Sequence, residues 1–433
     1  MSAAVPLPTP TPIDSHALEL ASRRLFDRSS SLVGWGTGSV YDYFHRHHPV
    51  RLDALVDSDA TRWGQLRDGL EITNPQDLTR HAGPDAFVII YSSFWPEIQQ
   101  ALARIAPLSS LPASAVFADT ATRAKVAWAE RLHSQALPRR VSRTQDAIVV
   151  QGPIDASTTP RVLGAMSALY PDSLIVLSTW DDTPAELLAA CRPLVDDVVI
   201  NAPPKPVGVQ NRNCQIVSTH AGIVRAIERG ARTIMKTRTD LAILNGNVFA
   251  QARWWLDHMV SPAARAIGLR DRLIVPSTFT RKYFLYHPSD LVMLGDASDM
   301  LTYWSASLDP RSGQLMSPEW VDQPISRVNM SGHPTESYLG LAFCKAIGRP
   351  VTGTLRDSWA FYRDLFAVVD NDWFDLVWFK NLSIPDAALR GGVRQTMTHA
   401  AWLALQGDAR AIDRASDVDT DQVSLRALSG AAS

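Results

Sequence analysis

Short apolar runs recur along this chain, and each one ends in glycine or small polar residues. Residues 87–91 lead into Ser92 and Ser93, residues 147–150 into Gln151 and Gly152, and residues 174–177 into Ser178, Thr179 and Trp180. Apolar runs of this length without alternation are strands buried on both faces, and the intervening segments have helical composition and length. Strand and helix alternating in this way predict an α/β fold of parallel sheets covered by helices. No repeat period emerges that would suggest a solenoid.

The chain has 433 residues, against a prior of roughly 150 per domain, so more than one globular unit is expected. Hydrophobic residues make up 46% and charged residues 20%, which rules out a mostly disordered chain. Lys plus Arg (42) nearly cancels Asp plus Glu (44) for a net charge of −2. No global field is available for nucleic acid, and any anion site must be local. Cys191, Cys214 and Cys344 are odd in number and far apart, which argues against a disulfide framework or a four-ligand zinc site and suits a reducing cytoplasm. The Pro-rich start lacks the basic and apolar regions of a signal peptide, and no apolar run approaches the ~18 residues of a membrane span. The expected organisation is a flexible tail over 1–25, a small Rossmann-like domain over 26–120, a charged helical connector over 121–145, a larger α/β domain over 146–392, and a helical, fraying tail over 393–433.

In the first domain, SLVGWGTGS (31–39) reads as a strand entering a glycine-rich turn, and a second strand ends at Asp57. Gly34, Gly36 and Gly38 would let the backbone and a helix N-terminus approach a phosphate, with Asp57 about 20 residues on as the ribose-binding acid. The third glycine of that fingerprint is replaced by Ser39, and a purely structural turn is the competing reading. A strand is expected at 115–117. His45, His47 and His48 close a helix before Pro49 with poor metal geometry.

In the second domain, ligands are expected outside the carboxyl ends of the strands, where Gln151, Gly152, Ser178, Thr179 and Trp180 fall. A helix over 211–229 opens with Arg212 and Gln215 on one face, suited to a diphosphate. The segment TIMKTRTDL (233–241) reads as a strand with Lys236, Arg238 and Asp240 on a shared face. Two cations and a carboxylate at a strand end suit a nucleotide-sugar diphosphate and a bridging divalent ion; an ion ladder is the bland alternative.

Four segments, QGPI (151–154), STW (178–180), NRNCQIVSTHAG (211–222) and MKTRTDL (235–241), resemble the WavE family of bacterial lipopolysaccharide-synthesis proteins. HPSDLVMLG (287–295), Asp299 and TESYL (335–339) continue the pattern in order, so the resemblance spans about 148–343. It implies a GT-A-type glycosyltransferase whose Rossmann-like half binds a nucleotide-sugar donor through Gln151, Gly152, Thr179, Trp180, Arg212, Lys236, Arg238 and Asp240. The acceptor would be a growing lipopolysaccharide core, O-antigen or capsule glycan, free or lipid-linked, met in the cytoplasm or at the inner-membrane surface. RTD stands where a DXD motif would lie, leaving Asp240 as the ligand of a Mn²⁺ or Mg²⁺ ion.

An inverting transfer needs a carboxylate beside the acceptor hydroxyl. Asp290, Asp296, Asp299 and Glu336 are the candidates, with Glu336 ranked first and Asp299 second; helix capping competes for Asp296 and Asp299. Trp373, Phe374, Trp378 and Phe379 read as packing, with a membrane-contacting patch as the alternative. Two other functions are weighed. One is a nicotinamide-dependent sugar-nucleotide oxidoreductase or epimerase, disfavoured because no Tyr-x-x-x-Lys couple follows the first domain. The other is a catalytically degenerate nucleotide-binding scaffold.

Overall fold

The computed structural model describes residues 13–27, 31–139, 145–311, 322–332, 334–382, 396–407, 412, 419–424 and 427. The chain divides into two units, Met1–Arg131 with Val377–Leu389, and Leu132–Leu376 with Arg390–Ser433. The division falls inside the helix Thr120–Gln135, so the expected helical connector exists but its first half belongs to the first unit. Residues 377–389, expected in the second domain, also belong to the first: within it the indole N–H of Trp95 donates to the carbonyl of Lys380 at 3.1 Å.

The first unit is built on β1 (Leu32–Trp35), β2 (Ala54–Val56), β3 (Leu66–Arg67), β4 (Leu70–Thr73), β5 (Phe87–Ile90) and β6 (Ser109–Pro112), in the order β3-β4-β2-β1-β5-β6. Only the β3/β4 pair is antiparallel. All four residues of β1 and of β5 are buried, as strands covered on both faces require. Two expectations are corrected here. The tail expected over 1–25 includes a helix, Ser15–Phe26, whose N-cap Asp14 accepts from the Ala17 amide at 2.7 Å and which buries Ala17, Leu18 and Ala21. The strand expected at 115–117 is instead a helical turn, Ala113–Val116, following β6; a short apolar run does not distinguish the two.

The second unit carries β7 (Asp146–Gln151), β8 (Leu174–Trp180), β9 (Asp197–Asn201), β10 (Thr233–Arg238), the short β11 (Leu241–Ile243), β12 (Leu273–Pro276), β13 (Met293–Asp296) and β14 (Phe366–Val369). Seven of them form one sheet in the order β14-β12-β13-β10-β7-β8-β9. Its strands are parallel except β13, which runs against both β10 and β12. Counted from its own first strand the order is therefore 3-2-1-4-6-5-7, with the sixth reversed. β8 runs three residues further than expected, so Ser178, Thr179 and Trp180 lie in the strand and are buried. The tail expected over 393–433 is partly integral to this unit: Trp402 of the helix His399–Gly407 is fully buried, and its indole N–H donates to the carbonyl of Tyr362 at 3.1 Å. Phe374 and Phe379 are buried in their respective units, in keeping with packing. Among the described residues no helix is long and apolar enough to cross a membrane.

Candidate functional site

The carboxyl ends of β7 and β10 lie side by side, with Arg238 opposite Gln151. Beyond them the chain must turn at once. Gly152 does so at φ +129°, and a Cβ there would stand 2.9 Å from Thr239 Oγ1. Thr239 in turn donates its amide to the Gln151 carbonyl at 3.1 Å and its hydroxyl to the Pro153 carbonyl at 2.7 Å. The two strand ends are thereby stitched together. The helix Arg212–Glu228 adds Ser218, whose hydroxyl donates to Gln151 Oε1 at 2.8 Å, and Gln215, whose amide donates to Asp290 Oδ2 at 2.7 Å.

Because β13 runs antiparallel, its beginning reaches this same rim: Met293 pairs with Lys236. Asp290, three residues earlier, is delivered beside β10, and its backbone carbonyl accepts from Lys236 Nζ. Lys236 is fully buried, with its ammonium 4.8 Å from the centroid of the Trp304 ring. Burial lowers its pKa to about 7 against the opposing pull of Asp290. Burial, and then the Glu336 carboxylate, push the Asp290 carboxyl up. Glu336 lies in the first turn of the helix Thr335–Ala346 and remains 14% exposed, with its Oε2 3.4 Å from His287 Nε2. Glu336, Asp290, Lys236 and His287 thus come together. Lys236 and Asp290 offset part of each other's burial penalty, since an isolated buried ion loses its hydration uncompensated.

The remaining predicted residues divide. Asp240 lies in the turn after β10 rather than on the strand. Arg238 grips it with both arms, Nε to Oδ1 at 2.8 Å and an Nη to Oδ2 at 2.9 Å. A divalent ion on Asp240 would have to share the carboxylate with Arg238, which takes one position on each oxygen. Among the described residues no three His, Cys, Asp or Glu side chains converge as a metal site. Arg212 does not face a donor: it is fully buried, bound to Asp309 at 3.2 Å and to the carbonyls of Val209 and Gly332, with the Tyr338 ring at 4.8 Å. It holds loops together. Thr179 and Trp180 are likewise internal, Thr179 Oγ1 meeting Thr183 Oγ1 at 3.3 Å.

Asp299 belongs to the opposite end of the sheet. Asp296 pairs with Thr233, the first residue of β10, and the intervening strand separates it from Lys236 by roughly 10 Å at ~3.3 Å per residue. There Asp299 accepts the amides of Arg270 (2.8 Å) and Asp271 (3.2 Å), and burial raises its carboxyl to about 6. Asp296 caps its helix through the Ser298 amide. Both acids are removed from the rim, which corrects the ranking of Asp299 as second candidate base.

In the first unit Gly36 has φ +100° and its amide meets the Val56 carbonyl at 2.8 Å. Gly34 is walled in by Leu52 and Leu55, and Gly38 precedes the helix Ser39–His47. Asp57 Oδ2 accepts the amide and hydroxyl of Thr37, at 2.8 and 2.5 Å, and its Oδ1 accepts the Asp59 amide. That carboxylate closes the glycine turn instead of facing a ribose. His47 Nδ1 is bonded to its own helix at the Tyr43 carbonyl.

Sequence reading missed the part played by His287, although it stands first in the HPSDL segment, and that of Trp304. Neither residue carries a local signal, because each matters through a partner distant in sequence.

Residues 147–320 match the family model described as WavE lipopolysaccharide synthesis. The match begins where the resemblance does and ends before Glu336. No curated protein matches the chain. Among solved structures, mannose-1-phosphate geranyltransferase from Thermus thermophilus is similar at 11% identity and a TM-score of 0.22, over 47% of this chain and 68% of that one. At that level neither fold nor chemistry transfers.

Proposed function

We propose that the second unit is a glycosyltransferase that moves a sugar from a nucleotide-sugar donor to the acceptor of a bacterial surface glycan. The observation that carries this reading is the convergence of Glu336, Asp290 and Lys236 on the rim that also bears Gln151 and Arg238. The organisation agrees with a GT-A unit: β7 to β10 form a Rossmann-like half, and a less regular half follows. The family match adds the setting, lipopolysaccharide synthesis.

Glu336, partly exposed at a helix start, takes the proton of the acceptor hydroxyl. The freed oxygen forms the new bond to the anomeric carbon as the bond to the donor phosphate breaks, and the nucleoside diphosphate leaves with the electron pair. Arg238, whose side chain is 29% exposed, turns part of its fork from Asp240 to that diphosphate. Asp290 and Lys236 behind them hold the local charge balance.

Incubation with a panel of nucleotide sugars, read as nucleoside diphosphate release with and without Mn²⁺, tests the reading. Calorimetric titration of parent and Arg238→Ala with nucleoside diphosphates is its second arm. Loss of one charge-assisted bond should weaken diphosphate binding by about 1.5 to 3 kcal/mol and leave nucleoside binding unchanged. Unchanged binding in a folded variant would make Arg238 and Asp240 an ion ladder. The Arg238–Asp240 pairing also favours one rival, the non-catalytic scaffold, which predicts diphosphate binding with no donor consumed.

A further inference from the structure

The loop between β12 and β13 holds one histidine more firmly than a loop needs. The ring of His287 is 1% exposed. Its amide donates to the Tyr362 hydroxyl at 2.8 Å, and its carbonyl accepts from the Arg281 amide at 3.1 Å. Nδ1 lies 3.0 Å from the Phe279 carbonyl. Two aromatic residues flank it in left-handed backbone, Phe279 at φ +64° and Tyr286 at φ +51°, a conformation that residues with a Cβ adopt only at a cost. One of these two is the residue whose carbonyl meets Nδ1.

A carbonyl can only accept, so Nδ1 carries the proton. In the neutral ring Nε2 then presents a lone pair, and it faces Glu336 Oε2 at 3.4 Å. A lone pair and an ionised carboxylate have nothing to share at that distance unless a proton enters between them. Burial supplies the direction: the Glu336 side chain is 14% exposed and the His287 ring behind it 1%.

We propose that His287 is a positioning residue that forms a proton-sharing dyad with Glu336, so that a proton received by the outer carboxylate passes to Nε2 of the buried ring. The proposal rests on the glycosyl-transfer reading for the source of that proton, the acceptor hydroxyl. The O–H bond of the acceptor breaks, the proton moves through Glu336 to His287, and the dyad ends as carboxylate and imidazolium. An imidazole is the stronger base, with an ordinary pKa near 6.5 against about 4.3 for Glu, so a proton received by the pair resides on the ring and the carboxylate is regenerated. Other charged and titratable groups face the pair from the surrounding elements: Asp290 from the same loop, Lys236 from β10, Arg281 from the loop's start, Tyr303 from the helix Ala297–Trp304, and Tyr362 from the helix Leu355–Leu365.

Histidine-selective ¹⁵N labelling of the full chain tests this without any substrate. His287 is assigned among the eleven histidines by its loss in His287→Gln, or, should that variant not fold, by its through-space contact with the Phe284 ring, whose centroid is 5.1 Å away. The neutral ring should be the Nδ1–H tautomer. Its titration midpoint should fall by about 0.5 pH unit or more in Glu336→Gln, because a facing carboxylate favours the imidazolium. An Nε2–H tautomer, an unchanged midpoint, or no titration between about pH 5 and 9 in the folded parent would overturn the dyad. In turnover, His287→Gln should shift the acidic limb of the kcat profile and leave the donor KM unchanged; an unmoved limb also overturns it. Coupled titration with no nucleotide sugar consumed would sink glycosyl transfer and leave the dyad standing, whereas turnover with uncoupled titration would do the reverse.

Discussion

Two mainly parallel sheets in this chain present carboxyl-end rims, and they use their charges in opposite ways. At the rim of the first unit, Asp57 is satisfied locally, bonded to the turn it belongs beside, with Arg62 reaching the same Thr37 hydroxyl at 3.1 Å. At the rim of the second, charged and polar groups from four separate segments meet: Lys236 on β10, Gln215 on a helix, Asp290 before β13 and Glu336 on a later helix. A glycine-rich turn is a backbone device, and here its polar groups are consumed in holding its own shape. Chemistry needs groups that the local backbone does not satisfy, and those accumulate where sequence-distant elements converge.

The sharpest way to break this contrast is Glu336→Gln, which is close in shape but accepts no proton. Donor consumption should fall by roughly 10² to 10⁴-fold. A loss below about tenfold would pass the role to Asp290 or point to a mechanism without a base.

Next in size is Lys236→Met. Because the pKa of Lys236 falls to about 7 in the folded chain against about 10.4 unfolded, the lysine is charged in both states below pH 7, where its burial penalty is felt in full. Between those values the unfolded chain binds the extra proton, so native stability rises with pH. The methionine variant lacks this titration, so between about pH 7 and 10 the parent should gain stability on the variant by about 1 kcal/mol or more, roughly 2–4 °C in Tm. Melts across that range that run parallel for both proteins would show the ammonium to be well solvated.

At the other rim, Gly36→Ala places a Cβ 2.9 Å from the Tyr91 carbonyl in a backbone at φ +100°. It should destabilise the first unit by about 1 to 3 kcal/mol while donor turnover per folded molecule stays at the parent level. A selective loss of turnover would assign the glycine turn a part in the reaction.

The smallest expected effect is that of Asp299→Asn, which should hold donor consumption within about threefold of the parent, since the residue stands at the far end of the sheet. Its carboxyl, raised to about 6 when folded, stays protonated longer than in the unfolded chain, where about 3.9 applies. The stability it contributes is present at low pH and lost as pH rises through 6. The variant should accordingly gain on the parent between pH 4 and 6; a large activity loss would return Asp299 to the site.

Much of this molecule is legible in the chain alone. Unbroken apolar runs announce buried parallel strands, the helix after residue 211 stands where expected, the strand expected over 233–241 is present from Thr233 to Arg238, and Glu336 is marked out by its place at a helix start. These are properties of a few consecutive residues, and backbone periodicity and side-chain size decide them locally. Four things are not local. Arg212 and Asp240 have the residue types of ligand-binding groups, yet one is spent on Asp309 and the other on Arg238. His287 gains its meaning only from Phe279 on one side and Glu336 on the other. Above all, Asp290 and Asp299 stand nine positions apart and read alike as candidate acids, but the reversed direction of β13 carries one to the carboxyl-end rim and the other to the opposite edge. Strand direction within a sheet is set by which neighbours it pairs with and how its connections run, and those are contacts between residues far apart in the chain. The residue types came from the sequence; which of them meet was decided by the fold.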